Sequence, residues 1–138
     1  MCKVKFLKLK ENARVPAVGK TPGLLDLYAC LDDPIGIQPG QSVTIGTGLS
    51  FVIPKDYCAL ILAKNKLAVF SGIRPACCVG TYEDGYVGEY KITLYNDSED
   101  PFIVTNGEVI AKIMFMPIVE CEMEEMMFDT PSPAELKV

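Results

Sequence analysis

An alternation of apolar and polar side chains, interrupted at short intervals by glycine and proline, constrains this chain more than any other feature. "KVKFLKLK" (3–10), "QSVTIGTGLSFVIP" (41–54), "YCALILAK" (57–64) and "VGEYKITLYN" (87–96) all follow a period of two. That period places successive side chains on opposite faces of a strand. In the first run Val4 and Phe6 are expected to face inward, with Leu7 a further candidate. "PFIVTNGEVIAKIMFMPIVECE" (101–122) reads as two strands around Asn106-Gly107, a dipeptide that favours hairpins. Ten prolines and eleven glycines punctuate the runs. Only "NKLAVFSG" (65–72) has room for a helix, of one or two turns. These patterns predict an all-β barrel or sandwich of many short strands.

With 138 residues, 49% of them hydrophobic, the chain is long enough for one well-filled core. A net charge of −5 argues against a protein that covers a nucleic-acid backbone, and no nucleic-acid polymer is expected as a partner. Charge is uneven along the chain. Lys3, Lys5, Lys8, Lys10, Arg14 and Lys20 make the start basic, whereas Glu120, Glu122, Glu124, Glu125, Asp129 and Glu135 make the end acidic. The opening has no apolar core of a secretory leader, and no run approaches the roughly 20 apolar residues of a membrane span. The six cysteines (2, 30, 58, 77, 78 and 121) include no CxxC pair, and histidine is absent. Reduced thiols in a cytoplasmic protein are therefore expected, with no zinc site and no imidazole base. Cys77 and Cys78 fall in a predicted strand, where their side chains would point apart and form no disulfide.

"CCVGTYEDGYVGEY" (77–90) places Glu83 and Asp84 between Tyr82 and Tyr86 at a glycine-rich tip. A hairpin here would offer edge N–H and C=O groups able to mimic base pairing, and a tyrosine face suited to a sugar. From about residue 3 to 119 the chain resembles the dUTPases, in colinear order. "ENARVP" (11–16) is similar to their opening, and "TPGLLDLYAC" (21–30) to their first motif, with Asp26 on its aspartate. "IQPGQSVTIGTGLSFVIPKDYCALI" (37–61) resembles the intervening strands. "AKNKLAVFSGI" (63–73) occupies the second motif, "VGTYEDGYVGEYKITLYN" (79–96) the third and "NGEVIAKIMFMPI" (106–118) the fourth.

The resemblance implies a distorted, jelly-roll-like β-barrel over residues 1–119, with 120–138 as an acidic C-terminal arm. It also implies a homotrimer with nucleotide sites between subunits. Glu83 and Asp26 would be the catalytic carboxylates. Gly80, Thr81, Tyr82 and Tyr86 would hold base and sugar, and Lys64, Asn65, Lys66 and Lys112 the phosphates. No direct metal ligand is implied; Mg2+ would arrive only with a bound triphosphate. The setting would be cytoplasmic, or host cytoplasm for a phage or viral member.

Six positions depart from the family pattern. Lys64-Asn65-Lys66 replaces Arg-Ser-Gly, Glu83 replaces an aspartate, and Val109 and Lys112 replace an Arg and a Gln. The tail "DTPSPAELKV" (129–138) also lacks the glycine-rich, arginine-bearing closing arm. These departures point to a protein that binds a nucleotide for sensing or sequestration with weakened or lost hydrolysis. The alternative is an active dUTP diphosphatase. Uracil is the implied base, while a modified pyrimidine or a cyclic nucleotide would satisfy the same contacts. The related dCTP deaminases would need a catalytic glutamate where Thr93 stands, so deamination is not expected.

Overall fold

A computed structural model describes residues 2–127. Among these, the strands are β1 (Lys5–Lys8), β2 (Ala17–Val18), β3 (Leu25–Tyr28), β4 (Ile35–Ile37), β5 (Ser42–Gly46), β6 (Leu49–Val52) and β7 (Tyr57–Leu62). The helix α1 (Asn65–Ser71) follows, then β8 (Ile73–Pro75), β9 (Gly80–Glu83), β10 (Lys91–Asn96), β11 (Phe102–Val104) and β12 (Val109–Pro117). The largest sheet has the order β2-β3-β12-β7-β9. A smaller sheet runs β5-β10-β8, and the ribbons β1-β6 and β11-β4 complete the architecture. It is all-β, as the alternation predicts.

The buried positions follow the alternation where a strand has one covered face. On β10, Ile92, Leu94 and Asn96 are buried while Lys91 and Thr93 are exposed. β12 breaks the rule, because Ile110 and Ala111 are consecutive and both buried. A register shift between Val109 and Ala111 against β3 accounts for this, since a bulge turns the extra residue back onto the core face. Tyr90, Phe51, Ile45, Leu49, Leu94 and Ile113 are among the side chains that fill the interior. Asn96 is buried as well, its amide donating to the carbonyls of Ile37 and Asp100 at 2.8 Å each. Its Oδ1 accepts from the Ser98 N–H and hydroxyl, so all its polar atoms are engaged.

Four local expectations are corrected. Phe6 and Leu7 do not face inward but remain 41% and 61% exposed, while Val4 packs against the core. β1 pairs only with β6, so no further strand covers its outer face. Asn106-Gly107 does not close a hairpin. β11 pairs with β4, whereas β12 pairs with β3 and β7, so the turn is a corner between two sheets. There the Gly107 N–H donates to the Ala29 carbonyl at 2.9 Å, Asn106 Oδ1 accepts from the Leu31 N–H, and Arg14 donates to the Gly107 carbonyl. Cys77 and Cys78 lie in the turn between β8 and β9 rather than in a strand, with Cys78 at a φ of 67°. All six cysteines are free thiols.

The third-motif segment also departs from a plain hairpin. β9 pairs with β7, from Cys58↔Glu83 to Ile61↔Gly80, and residues 84–90 form no strand. The rings of Tyr82, Tyr86 and Tyr90 pack on one another here. Among the described residues beyond Pro117, the Ile118 N–H donates to the Asp56 carbonyl at 2.8 Å, and residues 120–127 are exposed without regular structure. The remainder of the expected arm, 128–138, lies outside the described residues.

Candidate functional site

The first, second and fourth motif segments meet at Asp26. The register of β3 against β12 sets Asp26 opposite Lys112, and Lys64 enters from the residue preceding α1. Lys64 Nζ lies 3.5 Å and Lys112 Nζ 3.8 Å from Asp26 Oδ1. Two ammonium groups thus share one carboxylate, which leaves an excess positive charge. The pairs are partly exposed and contribute little stability; their role is to hold the lysines in place. Lys64 and Lys66 also line a shallow hollow with Leu67, Phe70, Ser71 and Val109. Asn65 is exposed at the start of the helix. This cluster suits an anionic group such as a phosphate.

A different end of the sheet carries the third-motif residues. Glu83 terminates β9 opposite Cys58, exposed, and is paired with no cation among the described residues. Its neighbour Asp84 behaves differently, accepting a long hydrogen bond from the Asp56 N–H at 3.4 Å. That contact ties the tip to the turn between β6 and β7, where Asp56 has a φ of 65°. The Tyr86 hydroxyl donates to the Glu89 carbonyl at 3.1 Å and its ring meets Tyr82 edge-on at 4.7 Å. Tyr82 stacks on buried Tyr90 at 3.9 Å and 17°. Gly80, Thr81 and Tyr82 line a cavity of about 480 Å³ with Cys77, Lys91 and Thr93. Burial pushes the Tyr82 hydroxyl up from the usual phenol range, and it pushes Tyr90 much further up. Both stay neutral at physiological pH; the Tyr82 hydroxyl is hydrogen-bonded to the Lys91 backbone, whereas the buried Tyr90 hydroxyl has no partner among the described residues.

The two groups do not converge within one chain. Lys112 stands opposite Leu62 on β7, and Glu83 opposite Cys58 on the same strand. Four residues of strand are about 13 Å. Lys91 and Glu89 were not foreseen as site residues. Lys91 contributes through its backbone, which sequence alone does not reveal. Glu89 accepts from the Gly48 N–H at 2.9 Å, bracing the turn between β5 and β6.

The residues present do not fit a resident Mg2+. Among the described residues no three of His, Cys, Asp and Glu stand together to hold a metal, and Asp26 is already engaged by two lysines.

The family profile for dUTPase matches residues 19–132. The chain belongs to the dUTPase family. It is 35% identical over 120 residues to the deoxyuridine 5'-triphosphate nucleotidohydrolase of a Hydrogenobaculum species, covering 86% of this chain and 82% of that protein. To the protein of the same name from Idiomarina loihiensis it is 36% identical over 100 residues, covering 72% of this chain and 66% of that one. In shape it is similar to the Staphylococcus bacteriophage 80alpha dUTPase solved with dUPNHPP, with a TM-score of 0.83 at 20% identity, over 99% of this chain and 96% of that one.

These relatives overturn the expectation of lost turnover. Proteins 32–38% identical to this one over most of its length carry the name of a nucleotidohydrolase. The geometry supplies a physical reason. The altered positions looked like separate losses, yet Lys64 and Lys112 both belong to the Asp26 cluster, and Glu83 keeps an unpaired carboxylate beside the tyrosines.

Proposed function

We propose that this chain is an active dUTP diphosphatase that hydrolyses dUTP, as its Mg2+ complex, to dUMP and pyrophosphate. One observation carries the reading: an exposed Glu83, unpaired among the described residues and lining one hollow with Tyr86, in a chain 35% identical to a named deoxyuridine triphosphate nucleotidohydrolase. In this reading the base enters the cavity beside β9, the deoxyribose packs on Tyr86, and Lys64, Lys66 and Lys112 receive the phosphate oxygens. Glu83 accepts a hydrogen bond from the attacking water and takes its proton. Water adds across the α–β anhydride: a new P–O bond forms, the bridging P–O bond breaks, and pyrophosphate leaves. Asp26 holds two of the lysines and keeps the cationic cluster from spreading.

The separation of Glu83 from Asp26 in one chain supports sites shared between subunits of a homotrimer. The exposed apolar side chains Phe6, Leu7, Val18 and Val52 offer contact area for it. Free thiols are consistent with a reducing cytoplasmic setting. No helix among the described residues is long and apolar enough to cross a membrane.

Pyrophosphate release from dUTP in the presence of Mg2+ tests the reading. Turnover of about 1 s⁻¹ or faster is expected, within the ordinary range of enzymes. Recovery of intact dUTP after prolonged incubation with folded protein overturns it.

A further inference from the structure

The edge of β10 that faces the 480 Å³ cavity is left open over one residue. Tyr90 directs its backbone inward, donating to the Leu49 carbonyl at 2.8 Å and accepting from the Thr47 N–H at 3.1 Å. Thr93 turns its carbonyl to the other side, where the Ala76 N–H donates to it at 2.8 Å. Backbone groups of successive strand residues point alternately to the two edges, so the N–H and C=O of Lys91 face the same side as those of Thr93. Among the described residues no strand covers them there, because β9 pairs with β7 instead.

A side chain has taken this donor–acceptor pair. The Tyr82 hydroxyl donates to the Lys91 carbonyl at 2.9 Å and accepts from the Lys91 N–H at 3.3 Å. A phenol can donate once and accept as well, so one hydroxyl serves both backbone groups. The ring is held from two sides, stacked on Tyr90 and meeting Tyr86 edge-on. The tip therefore carries a built-in partner for the backbone edge that a nucleobase would read.

We propose that Tyr82 is an internal stand-in for the base and sets the affinity of the site: a pyrimidine binds by exchanging its own acceptor–donor edge for the Tyr82 hydroxyl at Lys91. The proposal rests on the reading of this cavity as the base site of a dUTP-cleaving enzyme. A ligand able to replace both bonds displaces the hydroxyl at little net cost. A ligand that offers only one partner leaves a backbone group unpaired and is rejected. Exchange lowers affinity for every base relative to an empty edge, because bonds must be broken before new ones form. Tyr82 is thus a specificity-determining residue that acts by competition.

Tyr82→Phe removes the hydroxyl and keeps the ring in its stack. The dissociation constant for dUMP, measured by calorimetry, is expected to fall about tenfold, the scale of one or two net hydrogen bonds. The change should appear in KM for dUTP rather than in kcat. Unchanged or weaker dUMP binding by the variant, with wild type binding and cleaving normally, overturns the stand-in and leaves the enzymatic reading intact. Wild type that neither binds dUMP nor cleaves dUTP removes both. A second measurement needs no variant. Nuclear Overhauser contacts between the Tyr82 ring and the Lys91 amide should be present in the free protein and lost at saturating dUMP. Their persistence also overturns the proposal.

Discussion

Glu83 and Asp84 are neighbours with opposite situations. Asp84 is anchored to the Asp56 N–H, while Glu83 at the end of β9 has no side-chain partner among the described residues. A carboxylate that orients water needs oxygens free of competing hydrogen bonds, and the Asp56 N–H already engages Asp84, so Glu83 is the better suited of the two. Glu83→Gln keeps the size and removes the base, so kcat for dUTP is expected to fall by about 10²–10⁴-fold, the usual contribution of a general base. Asp84→Asn should leave kcat within a small factor, and rapid-quench measurement of pyrophosphate release separates the two. An equal loss in both variants contradicts the assignment. The sequence set both carboxylates at the glycine-rich tip, and only the resemblance singled out Glu83; the contact that separates it from Asp84 was not legible. That distinction depends on a turn 28 residues earlier. Tyr82 was legible only as a lining residue, since its bonds run to the backbone of Lys91, and backbone direction at a sheet edge follows from pairing rather than from side-chain type.

Among the elements, alternation foretold β7 and β10 because each carries a covered face. It missed where β9, β11 and β12 pair, because pairing between distant strands leaves no mark in a local pattern. Asn106-Gly107 shows how such a signal misleads: Gly107 does adopt a positive φ of 84°, but the strands it joins belong to different sheets. The connection from β5 to β6 offers a quantitative test. Gly48 has a φ of 70°, and an added Cβ would lie 2.8 Å from Ala13 Cβ and 2.9 Å from Cys30 Sγ. Both neighbours are buried and cannot move aside cheaply. Gly40 has a φ of 76° with nothing within 4 Å of the same position. Gly40→Ala should therefore cost about 1–2 kcal/mol from backbone strain alone. Gly48→Ala should cost about 1–3 kcal/mol more for overpacking. Urea denaturation of both variants checks the difference, and equal midpoints would show that the interior absorbs the methyl group.

At the scale of the whole molecule, the separation along β7 has a consequence for assembly. Glu83 and the Asp26 cluster stand opposite residues four apart on that strand, about 13 Å along it, so one chain does not bring the Glu83 carboxylate and the lysine cluster together. In a cyclic trimer each site can take Glu83 from one subunit and Asp26, Lys64 and Lys112 from its neighbour. Two inactive variants should then complement each other. Glu83→Gln subunits lack the base but offer an intact cationic cluster, and Asp26→Asn subunits the reverse. If the two are unfolded together in equal amounts and refolded, subunits mix at random. A site is whole only when an Asp26→Asn subunit supplies Glu83 and its neighbour is a Glu83→Gln subunit, which random mixing gives at about one site in four. Activity should therefore rise from near zero in either pure variant to about a quarter of refolded wild type in the mixture. Light scattering on the same samples should report three chains per particle. A trimer that regains no activity would place each complete site within a single chain, and a monomer at micromolar concentration would remove the shared site altogether.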